Sequence, residues 1–282
     1  MGDPSLADQY ESFYQQFDSP LMRQVRREAY GEDIGQHSWV GADELRRDAR
    51  LLGLGPTSRL LDLGSGPCGP LTFLIATTGC FGVGLELSPS AIRVGYSRAA
   101  ELGIQGRFDA TVADLNQPLR FEPGEFSAVL AVDVVLHLRD RQALFSDIAR
   151  LLQPGSRFLF TDAGVITGAV SNDELQRRSV HGYTQFAPVG WNERLLEAAG
   201  LRLLETENRT ESVVRNAMGR LTAMRRHRGE LERLSGMASF EQQAEYLTTV
   251  AELAQRNAVS RIMYLAEVRE QGVGKHRHRV KL

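Results

Sequence analysis

Three carboxylates and a glycine-rich turn in this chain have the types and spacing to hold a nucleoside. Asp62 sits in the apolar run Leu60-Leu61-Asp62-Leu63, which breaks at once into Gly64-Ser65-Gly66-Pro67-Cys68-Gly69. Glycine permits positive φ and lets a ligand approach where a Cβ would sit. A turn of this kind between a strand and a helix brings backbone N–H groups close to a nucleotide-like ligand. Gly64, Gly66 and Gly69 also satisfy the G-x-G-x-x-G spacing of dinucleotide sites, so the turn alone leaves the ligand open. Glu86, followed by Leu87, closes the next apolar run, where an acid can accept hydrogen bonds from both hydroxyls of a ribose. Asp114, followed by Leu115, closes the third run. There a carboxylate can accept from an adenine amino group while a neighbouring backbone N–H meets a ring nitrogen. Asp62, beside the turn, can orient it or meet a ligand ammonium. Together these groups suit an adenosine that carries a charged amino-acid tail.

A second set of residues could work on whatever sits beside that ligand. His137 ends the segment Ala131-Val132-Asp133-Val134-Val135-Leu136-His137, and imidazole exchanges protons near neutral pH. Capping or packing is its plainer use. Asp133 either touches the ligand or holds the histidine in place. Tyr10 and Tyr14 fall on one face if their segment is helical, either closing over the reacting group or simply packing. His37 and Trp39 line the pocket or anchor its cover. Arg178, His181 and Tyr183 lie where an acceptor pocket or an ordinary polar loop would be. The run Arg225-Arg226-His227-Arg228 reads as a solvated helix face, with an anionic acceptor as the alternative. Cys68 reads as a small filler.

These residues need strands to deliver them. From Arg59 to about Asp162, apolar runs alternate with amphipathic segments, the pattern of a parallel sheet covered by helices on both faces. Strands are expected near 59–63, 80–85, 107–112, 126–132 and 156–162, with helices near 69–78, 88–102 and 140–152. Ser88-Pro89 is a helix start, and Gln153-Pro154-Gly155 is a helix stop. Residues 163–188 read as an active-site loop or short cap. A helix at 189–199, a strand at 201–206, a strongly helical stretch at 210–257 and a closing strand at 259–268 complete an α/β fold of seven strands. The last strand is expected antiparallel beside the fifth. The helical segments before the first and last strands are expected over the carboxyl edge of the sheet, where ligands of open α/β sheets bind.

Composition fits a globular enzyme: 282 residues, 42% hydrophobic and 24% charged, with a formal net charge of −2. Near-neutrality gives no electrostatic case for nucleic acid. No apolar run reaches the roughly 20 residues that span a membrane, and the N-terminal residues lack a signal-peptide pattern. The two cysteines, Cys68 and Cys80, show no metal-ligand spacing. A cytoplasmic protein without metal, nucleic acid or membrane insertion is expected. Residues 271–282 form a basic tail.

The chain resembles the class I S-adenosylmethionine-dependent methyltransferases. The resemblance rests on Leu61-Asp62-Leu63-Gly64-Ser65-Gly66 with Gly69, on Glu86 and Asp114, and on Leu151-Leu152-Gln153-Pro154-Gly155-Ser156. It implies a Rossmann-like donor-binding core over 51–207, an N-terminal helical lid over 1–50, a helical cap over 208–257 and a closing core strand over 258–270. It also implies S-adenosylmethionine as donor, a small-molecule acceptor and, in many relatives, homo-oligomers. Tyr30-Gly31-Glu32-Asp33-Ile34-Gly35 and Ala131–Leu138 are similar to segments of small-molecule methyltransferases of the phosphoethanolamine and glycine–sarcosine kind. That similarity implies methylation of an amine nitrogen, with His137 as base or orienting residue partnered by Tyr10 or Tyr14 of the lid. Oxygen or carbon acceptors, a nucleotide-binding oxidoreductase and a non-catalytic donor-binding subunit are the alternatives.

Overall fold

The apolar runs of the sequence become the middle of a single twisted sheet. The computed structural model describes residues 11, 14–179 and 183–268. Among them β1 (Arg59–Leu63), β2 (Phe81–Glu86), β3 (Phe108–Val112), β4 (Phe126–Val132) and β5 (Leu152–Ile166) run parallel. β8 (Val259–Val268) lies antiparallel between β5 and β7 (Leu201–Asn208), giving the order β3-β2-β1-β4-β5-β8-β7. Leu61 pairs with Val83 on one side and Val129 on the other. A central parallel strand is covered on both faces, which is why this segment is almost wholly apolar. Strand order reverses between β1 and β4, and the crevice at their carboxyl ends is where such sheets bind ligands.

Helices α3 (Gly69–Thr78), α4 (Pro89–Glu101), α5 (Arg141–Leu151) and α7 (Trp191–Ala198) cover the sheet. The Ser88 hydroxyl accepts from the Ala91 N–H at the start of α4, and the Asp140 carboxylate does the same for α5. Side chains alternate across the sheet. Leu61, Leu63, Phe158 and Phe160 pack one face, and Leu60, Leu130 and Leu159 pack the other. A third apolar cluster touches the sheet at Ala163 of β5. It joins α1 (Pro20–Tyr30) to α8 (Thr210–Arg226), α9 (Arg228–Ser235) and α10 (Met237–Gln255), through residues such as Val25, Ala217, Leu231 and Leu247.

Several boundaries differ from the sequence reading. The fifth strand runs on to Ile166, because Val165 and Ile166 find partners in Ser260 and Val259 of β8. Residues 163–166 are therefore strand rather than loop. Helix α6 (Asn172–Arg178) follows, with a capping box between Ser171 and Glu174, and then the two-residue β6 (Ala187–Pro188) pairs with β5 as an eighth strand. So short an edge pairing leaves no periodicity to read. The stretch 210–257 is three helices, broken at His227 and at Gly236, whose φ is +88°. None of the described helices is long and apolar enough to cross a membrane.

A buried ionic hub ties the helical cap to the sheet. Arg261 of β8 is fully buried and donates to Asp133 (2.7 Å), to Glu44 of α2 (Ala42–Leu51) at 2.6 Å and to Ser212 of α8 (3.0 Å). Arg209 adds bonds to Asp48 (2.7 Å) and Glu44 (3.2 Å). Buried charges of this kind persist only when paired and hydrogen-bonded on all sides.

Candidate active site

The glycine turn is shaped by close contacts on both sides. Gly64 has φ +64°, and a Cβ there would lie 2.4 Å from Val134 Cγ2. Gly69 is needed for a different reason than ligand approach. A Cβ on it would meet the Gly35 carbonyl oxygen at 2.1 Å, so Gly69 seats the segment before α2 against α3 and does not line the pocket. Cys68, at φ +57° and fully buried, packs its sulfur toward Gly95, and burial pushes its thiol up to about 12.

Above the turn lies a pocket of about 210 Å³. Asp62, Gly64, Ser65 and Gly66 from the end of β1 line it, with Glu86 and Leu87 from β2 and Asp114 and Leu115 from β3. Three consecutive parallel strands thus bring three carboxylates to one rim, and Asn116 joins them. Asp114 Oδ1 accepts from the backbone N–H and side-chain amide of Asn116, each at 2.9 Å. Glu86 accepts from the N–H groups of Gly66 and Ser88, each at 3.0 Å, and burial raises its pKa. Asp62 is 2% exposed, and its Oδ2 is buried without a hydrogen-bond partner. Burial, and then the neighbouring Glu86 charge, push Asp62 up to about 8. A buried carboxyl oxygen left unpaired beside a pocket is suited to a cationic ligand group. An adenosine bearing an amino-acid ammonium therefore fits the residues present.

The N-terminal strap closes the other side. Glu11 accepts from the Ser88 hydroxyl (2.6 Å) and the Ser90 N–H (3.0 Å) at the start of α4, and these bonds hold its pKa down at about 2. Tyr14 follows, 4% exposed, with its hydroxyl against Gly66 and 3.4 Å from His37 Nδ1. Tyr14, His37, Trp39, Asp133 and His137 all line the same pocket, although Tyr14 and His137 lie far apart in sequence. Tyr10 and His181 fall outside the described residues.

His137 sits in a 3₁₀ turn after β4, half-buried. Its Nδ1 lies 3.1 Å from the Tyr183 carbonyl oxygen. A carbonyl can only accept, so Nδ1 carries the proton and Nε2 keeps its lone pair. Burial lowers the imidazole pKa and Arg178 lowers it further, while the Tyr183 carbonyl opposes them. The ring is accordingly neutral at pH 7 and able to accept a proton.

Other expected residues take different places. The Asp133 carboxylate lines the pocket but is occupied by the Trp39 N–H (3.1 Å), the Thr161 hydroxyl (2.7 Å) and Arg261 (2.7 Å). Its φ of +54° is held by these bonds, so the side chain fixes Trp39 and the hub rather than reaching for a donor. Arg178 is 5% exposed and donates to the Tyr246 hydroxyl (2.8 Å), a contact behind the pocket wall. Tyr183 is 42% exposed and contributes its backbone carbonyl to His137, with its ring near Arg139. In the run Arg225–Arg228, Arg226, His227 and Arg228 pair with Glu28, Glu232 and Glu241 on the surface.

Sequence reasoning passed over Arg220 and Tyr246, both of which line the pocket. The Arg220 guanidinium lies 5.5 Å from the Trp39 ring centre, and Trp39 and Tyr246 lie 6.4 Å apart. Each sits on an amphipathic cap helix whose pattern says only that one face is buried. No local signal identifies what that face covers.

Comparison with known proteins agrees with this geometry. Residues 61–160 match the family model described as a methyltransferase domain. The chain is 25% identical over 193 residues to a sterol 24-C-methyltransferase of Gibberella zeae, covering 64% of this chain and 48% of the relative. It is 28% identical over 197 residues to a sarcosine/dimethylglycine N-methyltransferase of Halorhodospira halochloris, covering 69% and 67%. The chain spans about half the length of the first of these curated relatives. Its fold matches Haemonchus contortus phosphoethanolamine N-methyltransferase 2, solved in complex with S-adenosyl-L-methionine, with a TM-score of 0.77 at 20% identity, over 95% of this chain and 61% of that one. The matched segment runs from β1 through the middle of β5, the strands that build the pocket, so residues 61–160 carry a methyltransferase domain, and the sheet has the fold of the methyltransferase neighbours.

Proposed function

We propose that the protein transfers a methyl group from S-adenosylmethionine to a small-molecule acceptor. The observation that carries this reading is the convergence of Asp62, Glu86 and Asp114 on one pocket, with the Asp62 oxygen unpartnered. Glu86 and the Gly66 N–H would hold the ribose, Asp114 and Leu115 the adenine, and Asp62 the ammonium. The donor supplies a methyl group already activated on a sulfonium. The protein's part is then alignment and exclusion of water. Tyr14 and His37 close the pocket from the strap side, and His137 Nε2 takes the proton when the acceptor nucleophile must lose one. Asp133, through Trp39 and Arg261, is a positioning residue. Such a chain would work on diffusible substrates in the cytoplasm without nucleic acid.

The similarity to amine methyltransferases favours a nitrogen acceptor. Arg220 and Arg178 favour a second reading. The Arg220 guanidinium in the pocket lining disfavours an approaching ammonium, and Arg178 behind the wall adds to the same positive potential, so a neutral amine, a hydroxyl or an activated carbon suits this wall better. Titration calorimetry with S-adenosylhomocysteine tests the donor assignment. One equivalent should bind to the wild type, and Glu86→Ala and Asp114→Ala should weaken it. Unaltered affinity in both variants would refute the site.

A further inference from the structure

A second cavity, of about 440 Å³, lies on the cap side of the donor pocket. Its walls are mixed: an apolar side of Met22, Val25 and Ala29 of α1, Met224 of α8, Leu231 of α9 and Phe240 of α10 faces polar groups that include Gln36, Arg26, Arg220 and Gln243. His37 and Arg220 line this cavity and the donor pocket alike, so the two spaces meet at these side chains. Its volume falls within the range of about 300–1,000 Å³ typical of small-molecule sites. Packed cores leave few voids larger than a water molecule, and apolar cavities hold water poorly.

Two polar groups give the cavity a direction. Gln243 lines it, and the Gln243 side-chain nitrogen is buried without a hydrogen-bond partner. Arg220 forms no ion pair among the described residues. Arg26, which also lines the cavity, is neutralised by Asp18 and Asp33. Arg220, which has the Tyr30 hydroxyl as a hydrogen-bond partner, stands at the neck between the two spaces with one guanidinium nitrogen 3.5 Å from the His37 carbonyl oxygen.

We infer that the acceptor is an amphiphile whose apolar chain or ring body fills the cap cavity. Its anionic or carbonyl oxygen head meets Arg220, and its nucleophile passes the neck of His37 and Arg220 into the donor pocket. The inference rests on the methyltransferase reading and narrows its substrate class. A small hydrophilic amine would leave the apolar walls unfilled and bring its ammonium against Arg220. An apolar body removes that wall from water at roughly 25 cal/mol per Å², and an anion or carbonyl beside the Arg220 guanidinium gains a charge-assisted hydrogen bond.

The test uses dodecanoate as probe, titrated into the protein saturated with S-adenosylhomocysteine, whose own binding is measured first. One equivalent of dodecanoate should bind, and butyrate should bind at least about tenfold more weakly, as expected for area-driven burial. Leu234→Trp and Met22→Trp place bulk in the cavity from half-buried positions. Each should lower dodecanoate affinity by about tenfold or more while S-adenosylhomocysteine affinity stays unchanged. Arg220→Gln should weaken dodecanoate and leave dodecanol unaffected. Absence of saturable dodecanoate binding, or binding indifferent to both tryptophan variants, would overturn the inference while leaving the donor site intact. Failure of S-adenosylhomocysteine to bind the wild type would instead overturn the methyltransferase reading.

Discussion

The donor pocket takes its three carboxylates from 62, 86 and 114, each at or beside the end of one strand, whereas the cap cavity takes its walls from four helices together with Gln16, Phe17, Gln36 and His37 of the N-terminal segments. The first is acidic at the strand ends and held by backbone geometry. The second has an apolar side with a cation at its mouth, and is held by side-chain packing and the Arg261 hub. Neighbouring parallel strands fix one another's registers, so a residue at a strand end has almost no freedom of position. Helix faces can rotate and slide with modest repacking. The difference teaches that the carboxylate pocket is tied to the sheet, while the cavity beside it depends on how the cap helices pack.

The largest effect should come from the donor pocket itself. His137→Ala should lower turnover by about 10²–10⁴-fold, the usual range for a lost general base, with little change in donor affinity. Steady-state kinetics beside calorimetry would check this, and near-normal turnover would remove His137 from the chemistry. Arg261→Met tests whether the cap depends on the hub. Breaking a buried ionic cluster on one side costs about 3–5 kcal/mol, so thermal unfolding should move down by on the order of 10 °C. An unchanged midpoint would show the cap to be held by its apolar cluster alone. At the donor end, Glu86→Ala and Asp114→Ala should each weaken S-adenosylhomocysteine by roughly 10- to 100-fold, the equivalent of one lost charged hydrogen bond.

The smallest effect concerns protons. With Asp62 at about 8 in the free protein, its carboxyl is mostly protonated at pH 7, and an incoming ammonium favours the ionised form. Donor binding should therefore release a proton and tighten by up to about tenfold per pH unit below 8, levelling above it. Calorimetry in buffers of different ionisation enthalpy would detect the release. The same group affects ligand-free stability with a definite sign. The native state keeps a proton that the unfolded chain gives up above its ordinary value of 3.8, so stability declines as pH rises from there toward 8. Asp62→Asn should flatten that decline and abolish the proton release, and a slope unchanged by the substitution would detach it from Asp62.

Legibility in the sequence followed the same division. The run Leu60–Gly69, the helix start at Ser88-Pro89 and the carboxylates closing β2 and β3 were readable because each depends on its neighbours in the chain: strand, tight turn, cap. The length of β5 was not readable, because Val165 and Ile166 become strand only through β8. Asp133 read either as a ligand contact or as a brace for the histidine, and its bonds to Trp39, Thr161 and Arg261 were not legible because these come from three distant segments. Gly69 fits a ligand-binding spacing and instead serves a backbone contact with Gly35.

By itself, then, the sequence determined the α/β order of elements and the chemistry of the donor end, because local periodicity and turn geometry dictate both. Tertiary structure alone decided what else lines the pocket. Tyr14, His37, His137, Arg220 and Tyr246 meet only after strap, sheet and cap have packed. The reason is physical: a strand end is placed by hydrogen bonds to the adjoining strands, whereas a helix face acquires its contacts, and its cavity, from whatever helices it happens to bury against.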